Sequence, residues 1–153
     1  MNLLIVDDHP VVAEYLRHAA GRAVPDAVIR IAGDLDAAFE SMRENPAELV
    51  LLDLGLPGCG GIESVLHFRK AYPDARLVVI SSEDERNAIR GCIALGAAGF
   101  IPKAAGPKEM VNALRTVAAG GRYIPAAEEE SGTPRKSADS ASAPGRKRRA
   151  NGV

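Results

Sequence analysis

Apolar residues follow two rhythms along this chain. Leu3–Val6, Leu49–Leu52 and Leu77–Ile80 are unbroken apolar runs, and each ends on polar residues: Asp7-Asp8, Asp53 and Ser81-Ser82. Runs of this length, closed by turn residues, predict strands buried on both faces of a parallel sheet. Val28–Ala32 and Gly99–Ile101 read as two further strands. Between them apolar residues recur three and four apart, as in Val12-Leu16-Ala19-Ala20, Leu35-Ala38-Phe39-Met42 and Met110-Val111-Leu114-Val117. That spacing predicts amphipathic helices, and Ile62-Val65-Leu66 and Ala88-Ile89-Cys92-Ile93 repeat it.

The punctuation agrees with this division. Pro10 and Pro107 suit the first turn of a helix, and Asp34 or Asp36 can cap one. Asn45-Pro46 and Pro73-Asp74 end helices, Gly96 is a natural C-terminal stop, and Gly120-Gly121 closes the last helix. Five strands alternating with five helices imply an α/β fold, a doubly wound five-stranded parallel sheet with right-handed crossovers and helices on both faces. The pattern stops near Ala126. Glu128-Glu129-Glu130, a Ser/Ala/Pro/Gly-rich stretch and Arg146-Lys147-Arg148-Arg149 follow without apolar periodicity. Residues 1–125 are therefore expected to fold as one domain, and 126–153 to be a disordered linker or tail.

Composition narrows the class without changing it. The 153 residues suffice for one sizeable core, the apolar and charged fractions are 46% and 25%, and the net charge is -1. Cys59 and Cys92 form neither a disulfide framework nor a zinc spacing. No apolar run approaches the roughly 20 residues that span a bilayer. A cytoplasmic protein without membrane contact is expected. The basic cluster at 146–149 is read as solvated, with DNA phosphate contact the lesser alternative.

The chemistry lies at the strand ends. In a parallel sheet Asp7-Asp8, Asp53, Ser81 and Lys103 share one edge, where an open α/β sheet places its ligands. Three crowded carboxylates repel unless a cation neutralises them, and Mg²⁺ suits one or two carboxylates with a backbone carbonyl and waters. With a hydroxyl and an ammonium beside them they make a phosphoryl-transfer set. Asp53 is the candidate nucleophile, through an aspartyl phosphate. Ser81 alone could cap the next helix, Phe100 alone could be core, and His9 reads as solvated rather than as a ligand.

These motifs together resemble the receiver domain of two-component response regulators. They are the acidic pair, Asp53-Leu54-Gly55-Leu56-Pro57-Gly58-x-Gly60-Gly61, the Ser81-Ser82 strand end and Gly96-Ala97-Ala98-Gly99-Phe100-Ile101-Pro102-Lys103. The resemblance covers about residues 1–125 and implies the flavodoxin-like, CheY-like receiver fold. It implies that Asp53 accepts a phosphoryl group from a histidine kinase or histidine phosphotransfer protein. Asp8, Asp53 and the Gly55 carbonyl would bind Mg²⁺, with Asp7 acting through a water. Lys103 would pair with the phosphoryl group, Ser81 would swing in to hydrogen-bond it, and Phe100 would repack inward. The face of the fourth helix, fifth strand and fifth helix, with Arg90 and Lys108 on its solvent side, would then change. Homodimerisation through that face, or through the first and fifth helices, is an expectation.

Asp7-Asp8-His9-Pro10-Val11-Val12 and Gly120-Gly121-Arg122-Tyr123-Ile124-Pro125 resemble the NarL/LuxR-type branch of transcriptional regulators. Those continue into a helix-turn-helix domain that binds DNA; no three-helix pattern follows residue 125 here. Either the output domain lies beyond these residues or it has been lost, and the first is preferred. Ala104 stands where many receivers have proline, and Gly106 opens the last helix as a weaker cap than serine. A stand-alone receiver, acting as adaptor or phosphate sink, is the alternative function. A phosphohydrolase would place a second acid two residues after the nucleophile, where this chain has Gly55; only self-phosphorylation and autodephosphorylation are expected, not turnover. A flavin binder would need a hydroxyl-rich phosphate loop where Asp7-Asp8 stands.

Overall fold

The computed structural model describes residues 1–57, 61–82 and 86–124. The chain runs β1 (Asn2–Val6), α1 (Pro10–Ala23), β2 (Val28–Ala32), α2 (Leu35–Glu44), β3 (Leu49–Asp53), α3 (Ile62–Ala71), β4 (Arg76–Ser81), α4 (Arg86–Ala94), β5 (Gly99–Pro102) and α5 (Pro107–Ala118). All neighbouring strands are parallel, in the order β2-β1-β3-β4-β5. The expected doubly wound α/β sheet is what the chain adopts. These elements belong to a compact unit spanning Met1–Tyr123. The expectation of a disordered 126–153 falls outside the described residues.

Strand alternation divides the unbroken apolar runs between two cores. Leu4, Val6, Val50, Leu52, Leu77, Val79 and Phe100 face one cluster, with Met42, Val65, Phe68 and Ile89 from α2, α3 and α4. Leu3, Ile5, Leu49, Leu51, Val78, Ile80 and Ile101 face the other, with Leu16 and Ala20 of α1 and Met110, Leu114 and Val117 of α5. Every residue of β3 is buried. Successive side chains point to opposite faces, so each run needs helices on both sides.

Asp34 caps α2 by accepting the Ala37 N–H at 2.7 Å. Gly106, the N-cap of α5, makes no side-chain cap, and Pro107 supplies the helical start. Carbonyls near helix C-termini are claimed by half-buried arginines. Arg30 donates to the carbonyls of Ser41 and Asn45 beside α2. Arg69 donates to Leu95 at 3.1 Å beyond α4, and to Pro73 and Ala75. Arg76 donates to Val117 at 3.1 Å and to Gly121 at 2.5 Å.

Gly96 follows α4 with φ +98°, and a Cβ there would lie 2.9 Å from Arg69 Nε. Arg69 is tethered by the three carbonyls just named and has little freedom to withdraw. Gly96→Ala is therefore expected to cost at least the ~1–2 kcal/mol of a side chain in the left-handed region. A chemical denaturation midpoint unchanged from the parent protein would refute this.

A short ribbon beyond α5 was not foreseen. Tyr123 N–H donates to the Ala98 carbonyl at 3.1 Å, and Phe100 N–H donates to the Tyr123 carbonyl at 3.0 Å. Tyr123 thus pairs in parallel with Gly99 along the open edge of β5. Its hydroxyl donates to Glu109 of α5 at 2.5 Å. Burial first, and then Glu109, push the phenol from its ordinary 10.0 to about 12. The folded chain favours the neutral phenol, so this contribution to stability is complete below pH 10 and is lost as pH rises towards about 12. A near-ultraviolet titration should show one late-titrating tyrosine that Tyr123→Phe removes.

Candidate phosphoryl and metal site

The sheet order sets the place of the site. The chain leaves β1 for β2 on one side, then returns to β3 on the other, so the order reverses between β1 and β3. The crevice beyond the carboxyl ends of those strands is where doubly wound folds bind ligands. Asp7 and Asp8 follow β1, and Asp53 is the last residue of β3. Lys103 follows β5, and its N–H donates to the Ser81 carbonyl at 2.7 Å, which fixes the loop beside β4.

Five of the expected residues come together here. Lys103 Nζ lies 3.2 Å from Asp53 Oδ1 and 3.6 Å from Asp7 Oδ2. The Gly55 N–H donates to the same Asp53 Oδ1 at 2.9 Å. Asp53 therefore has one oxygen anchored twice, whereas its buried Oδ2 has no hydrogen-bond partner. Asp7 is arranged alike. Its Oδ1 accepts the His9 N–H at 2.9 Å, while Oδ2 is buried and makes no hydrogen bond, its lysine lying beyond that range. Asp7 and Asp53 are each 2% exposed, and Asp8 is open to solvent.

Carboxylate oxygens of Asp7, Asp8 and Asp53 and one His9 nitrogen lie within 4.8 Å of one another. Among the described residues, Lys103 is the ammonium paired with two of these three carboxylates, Asp7 and Asp53. An excess of buried negative charge with orphaned oxygens fits a hard divalent cation, whose oxygen ligands such groups are. The donor set thus suits the metal that the sequence implies. Gly55 contributes its N–H to Asp53 as described.

Ser81 and Phe100 are placed by the register of β4 and β5. Ser81 ends β4, is 2% exposed and is aligned with Pro102. It stands two residues after Val79, which faces the α2–α4 core and is the register partner of Phe100. Phe100 is fully buried in that core, so its ring already occupies the inward position. Arg90 and Lys108 are solvent-facing, as anticipated. Beside Lys103 lies a cavity of about 270 Å³ lined by Val11, Tyr15, Leu16 and Met110. Val11 at its mouth is 83% exposed. Val11 lies in the first turn of α1, off the Val12-Leu16-Ala19-Ala20 stripe that the sequence pattern marks as apolar.

A five-stranded sheet of this order, with an acidic cluster and a lysine at its carboxyl edge, defines a receiver-type α/β protein. The response regulator receiver domain family matches residues 3–115; the chain belongs to that family, whose members are generally not turnover enzymes. Among curated relatives, the transcriptional activator protein ExaE of Pseudomonas putida is 36% identical over 81% of this chain and 58% of its own. The response regulator UvrY of Escherichia coli K12 is 32% identical over 81% of this chain and 57% of its own. The chain thus spans somewhat over half the length of these relatives. Among solved structures, a LuxR-family two-component response regulator from Aurantimonas sp. SI85-9A1 is 31% identical with a TM-score of 0.75, covering 84% of this chain and 92% of that one. The signal receiver domain of the NarL regulator from Mycobacterium tuberculosis is 29% identical with a TM-score of 0.68, covering 78% and 96%. No helix among the described residues is long and apolar enough to cross a membrane.

Proposed function

We propose that this domain is a phosphoacceptor switch in which Asp53 receives a phosphoryl group from a histidine kinase or histidine phosphotransfer protein. The observation that carries the reading is the asymmetry of the Asp53 carboxylate. Oδ1 is held by the Gly55 N–H and Lys103, and Oδ2 is unpartnered. Oδ2 is the attacking atom. Its bond to phosphorus forms as the phosphorus–nitrogen bond of the donor phosphohistidine breaks, and the nitrogen keeps the electron pair. Lys103 stays beside the acceptor and meets charge on the transferred group. Asp7, Asp8, Asp53 and the Gly55 carbonyl are the groups that would hold Mg²⁺. That ion, when bound, supplies positive charge against the phosphoryl oxygens.

Ser81, at the end of β4, is the hydroxyl that engages the phosphoryl group, and Phe100, already buried in the α2–α4 core with Val79, is the ring whose packing reports it. Such a switch requires the two states to contact the phosphoryl group differently. The readout face is α4, β5 and α5, and a phosphorylated homodimer through it, or through α1 and α5, is part of the reading. Sedimentation with a phosphoryl analogue that left the mass monomeric would remove that part. The name of ExaE supports a transcriptional output, and that of a LuxR-family DNA-binding response regulator from Silicibacter pomeroyi, 26% identical with a TM-score of 0.73, supports one that binds DNA. This output would lie outside the described residues, and a cytoplasmic place for the chain is part of the same reading.

The deciding experiment is intact-protein mass spectrometry after incubation with acetyl phosphate and Mg²⁺, followed by peptide mapping. One added phosphoryl group, roughly 80 Da, located on Asp53 and dependent on the metal, is expected. An adduct elsewhere, or none with either acetyl phosphate or a phosphorylated histidine donor, would overturn the proposal.

A further inference from the structure

We infer that His9 is a nitrogen donor to the acidic cluster, so that the site accepts a borderline first-row transition ion such as Ni²⁺ or Co²⁺ through an imidazole and carboxylates together. This rests on the reading of the cluster as a cation site. His9 Nδ1 lies 3.2 Å from Asp7 Oδ1 and 3.1 Å from Asp8 Oδ1. Adjacent ligands of an octahedral ion with bonds near 2.1 Å are separated by about 3 Å, the same spacing. The His9 Nδ1–Asp7 Oδ1 contact is a hydrogen bond in the ion-free site, and its length is one that a bound ion could bridge, with all these ligand atoms within 4.8 Å of one another.

The local chain holds the imidazole there. His9 is the N-cap of α1, with extended φ -102° and ψ 109°, and its N–H donates to Asp7 Oδ1. Pro10 fixes the next residue in the helix. The ring therefore leaves the backbone on the side of the acids, with its side chain 59% exposed and open to an arriving hydrated ion. A second observation lies deeper, on the other oxygen of Asp7, whose nearest cation is Lys103 Nζ at 3.6 Å. Asp7, whose side chain is wholly buried, leaves Oδ2 without a hydrogen bond.

Ligand chemistry then separates the ions. Mg²⁺ prefers oxygen and gains little from imidazole, whereas Co²⁺, Ni²⁺ and Zn²⁺ gain affinity from a nitrogen ligand. Removing His9 should weaken Ni²⁺ and Co²⁺ by roughly tenfold or more and leave Mg²⁺ within about twofold.

Calorimetric titration of the full chain with Ni²⁺ and, separately, Mg²⁺ measures this, with His18 and His67 replaced by alanine in every variant to remove the other imidazoles. His9→Ala and His9→Asn, the second keeping a polar residue at the N-cap position, should both lose Ni²⁺ affinity selectively. Proton NMR of the Co²⁺-loaded chain should show a paramagnetically shifted imidazole N–H that is absent from both variants. Equal loss of Ni²⁺ and Mg²⁺ would assign His9 to loop geometry and overturn the inference. Unchanged Ni²⁺ affinity, or a shifted N–H that survives His9→Asn, would overturn it too. Failure of both ions to bind the parent chain would instead sink the reading of the cluster as a cation site.

Discussion

Replacing Asp53 by alanine abolishes phosphoryl uptake, and replacing Lys103 by alanine slows it by roughly 10²- to 10³-fold, the usual effect of deleting one preorganised electrostatic contact. Lys103 Nζ lies 3.2 Å from the acceptor carboxylate in a group that is four-fifths buried, where an ammonium interacts more strongly than it does in water. The two substitutions diverge in stability. Asp53→Ala removes one of three mutually repelling carboxylates and should melt no lower than the parent chain. Lys103→Ala leaves Asp7 and Asp53 buried without their cation, and should lower the midpoint. Time-resolved mass spectrometry gives the rates, and thermal melts show that the proteins are folded. Unimpaired uptake by Lys103→Ala would remove lysine from the mechanism. A collapse of Asp53→Ala would make the carboxylate structural.

Phe68→Ala is the substitution expected to cost most in stability, about 3–5 kcal/mol. The ring is 1% exposed. It stacks on Phe39 at 4.7 Å between centroids and meets Tyr72 at 6.4 Å, so truncation opens a cavity and leaves only the 6.2 Å Phe39–Tyr72 contact of this aromatic cluster between α2 and the end of α3. Phe68→Leu, which keeps much of the volume, should cost less than half as much. Urea denaturation of both variants checks the pair. A loss below about 1.5 kcal/mol for alanine would mean that α2 and α3 collapse onto the gap.

Much of this was legible in the residues, because the relevant forces are local. Helix spacing, Pro10 and Pro107, the Asp34 cap and the glycine stop at Gly96 act within a few residues of one another, and the elements fell where those signals put them. The acids and Lys103 could be brought to one edge because parallel strands leave no other arrangement of their carboxyl ends. The arginine caps were not legible. Arg76 reaches carbonyls more than forty residues away, and a charged residue opening a strand carries no sign of such a partner.

An unbroken run such as Leu49–Leu52 says that both faces are covered, not which core receives which residue. Register decided that Phe100 and Val79 share the α2–α4 face with the position of Ser81. It also set Tyr123 against β5. Nor does composition tell two carboxylate oxygens apart. Only the assembled loops, bringing Gly55 and Lys103 to one oxygen of Asp53 and neither to the other, give that side chain a direction. The sequence by itself determined the elements, the parallel sheet and the chemical kinds at its edge, through hydrophobic period and local caps. The tertiary structure alone decided pairing, orientation and distance, since those depend on contacts between residues far apart in the chain.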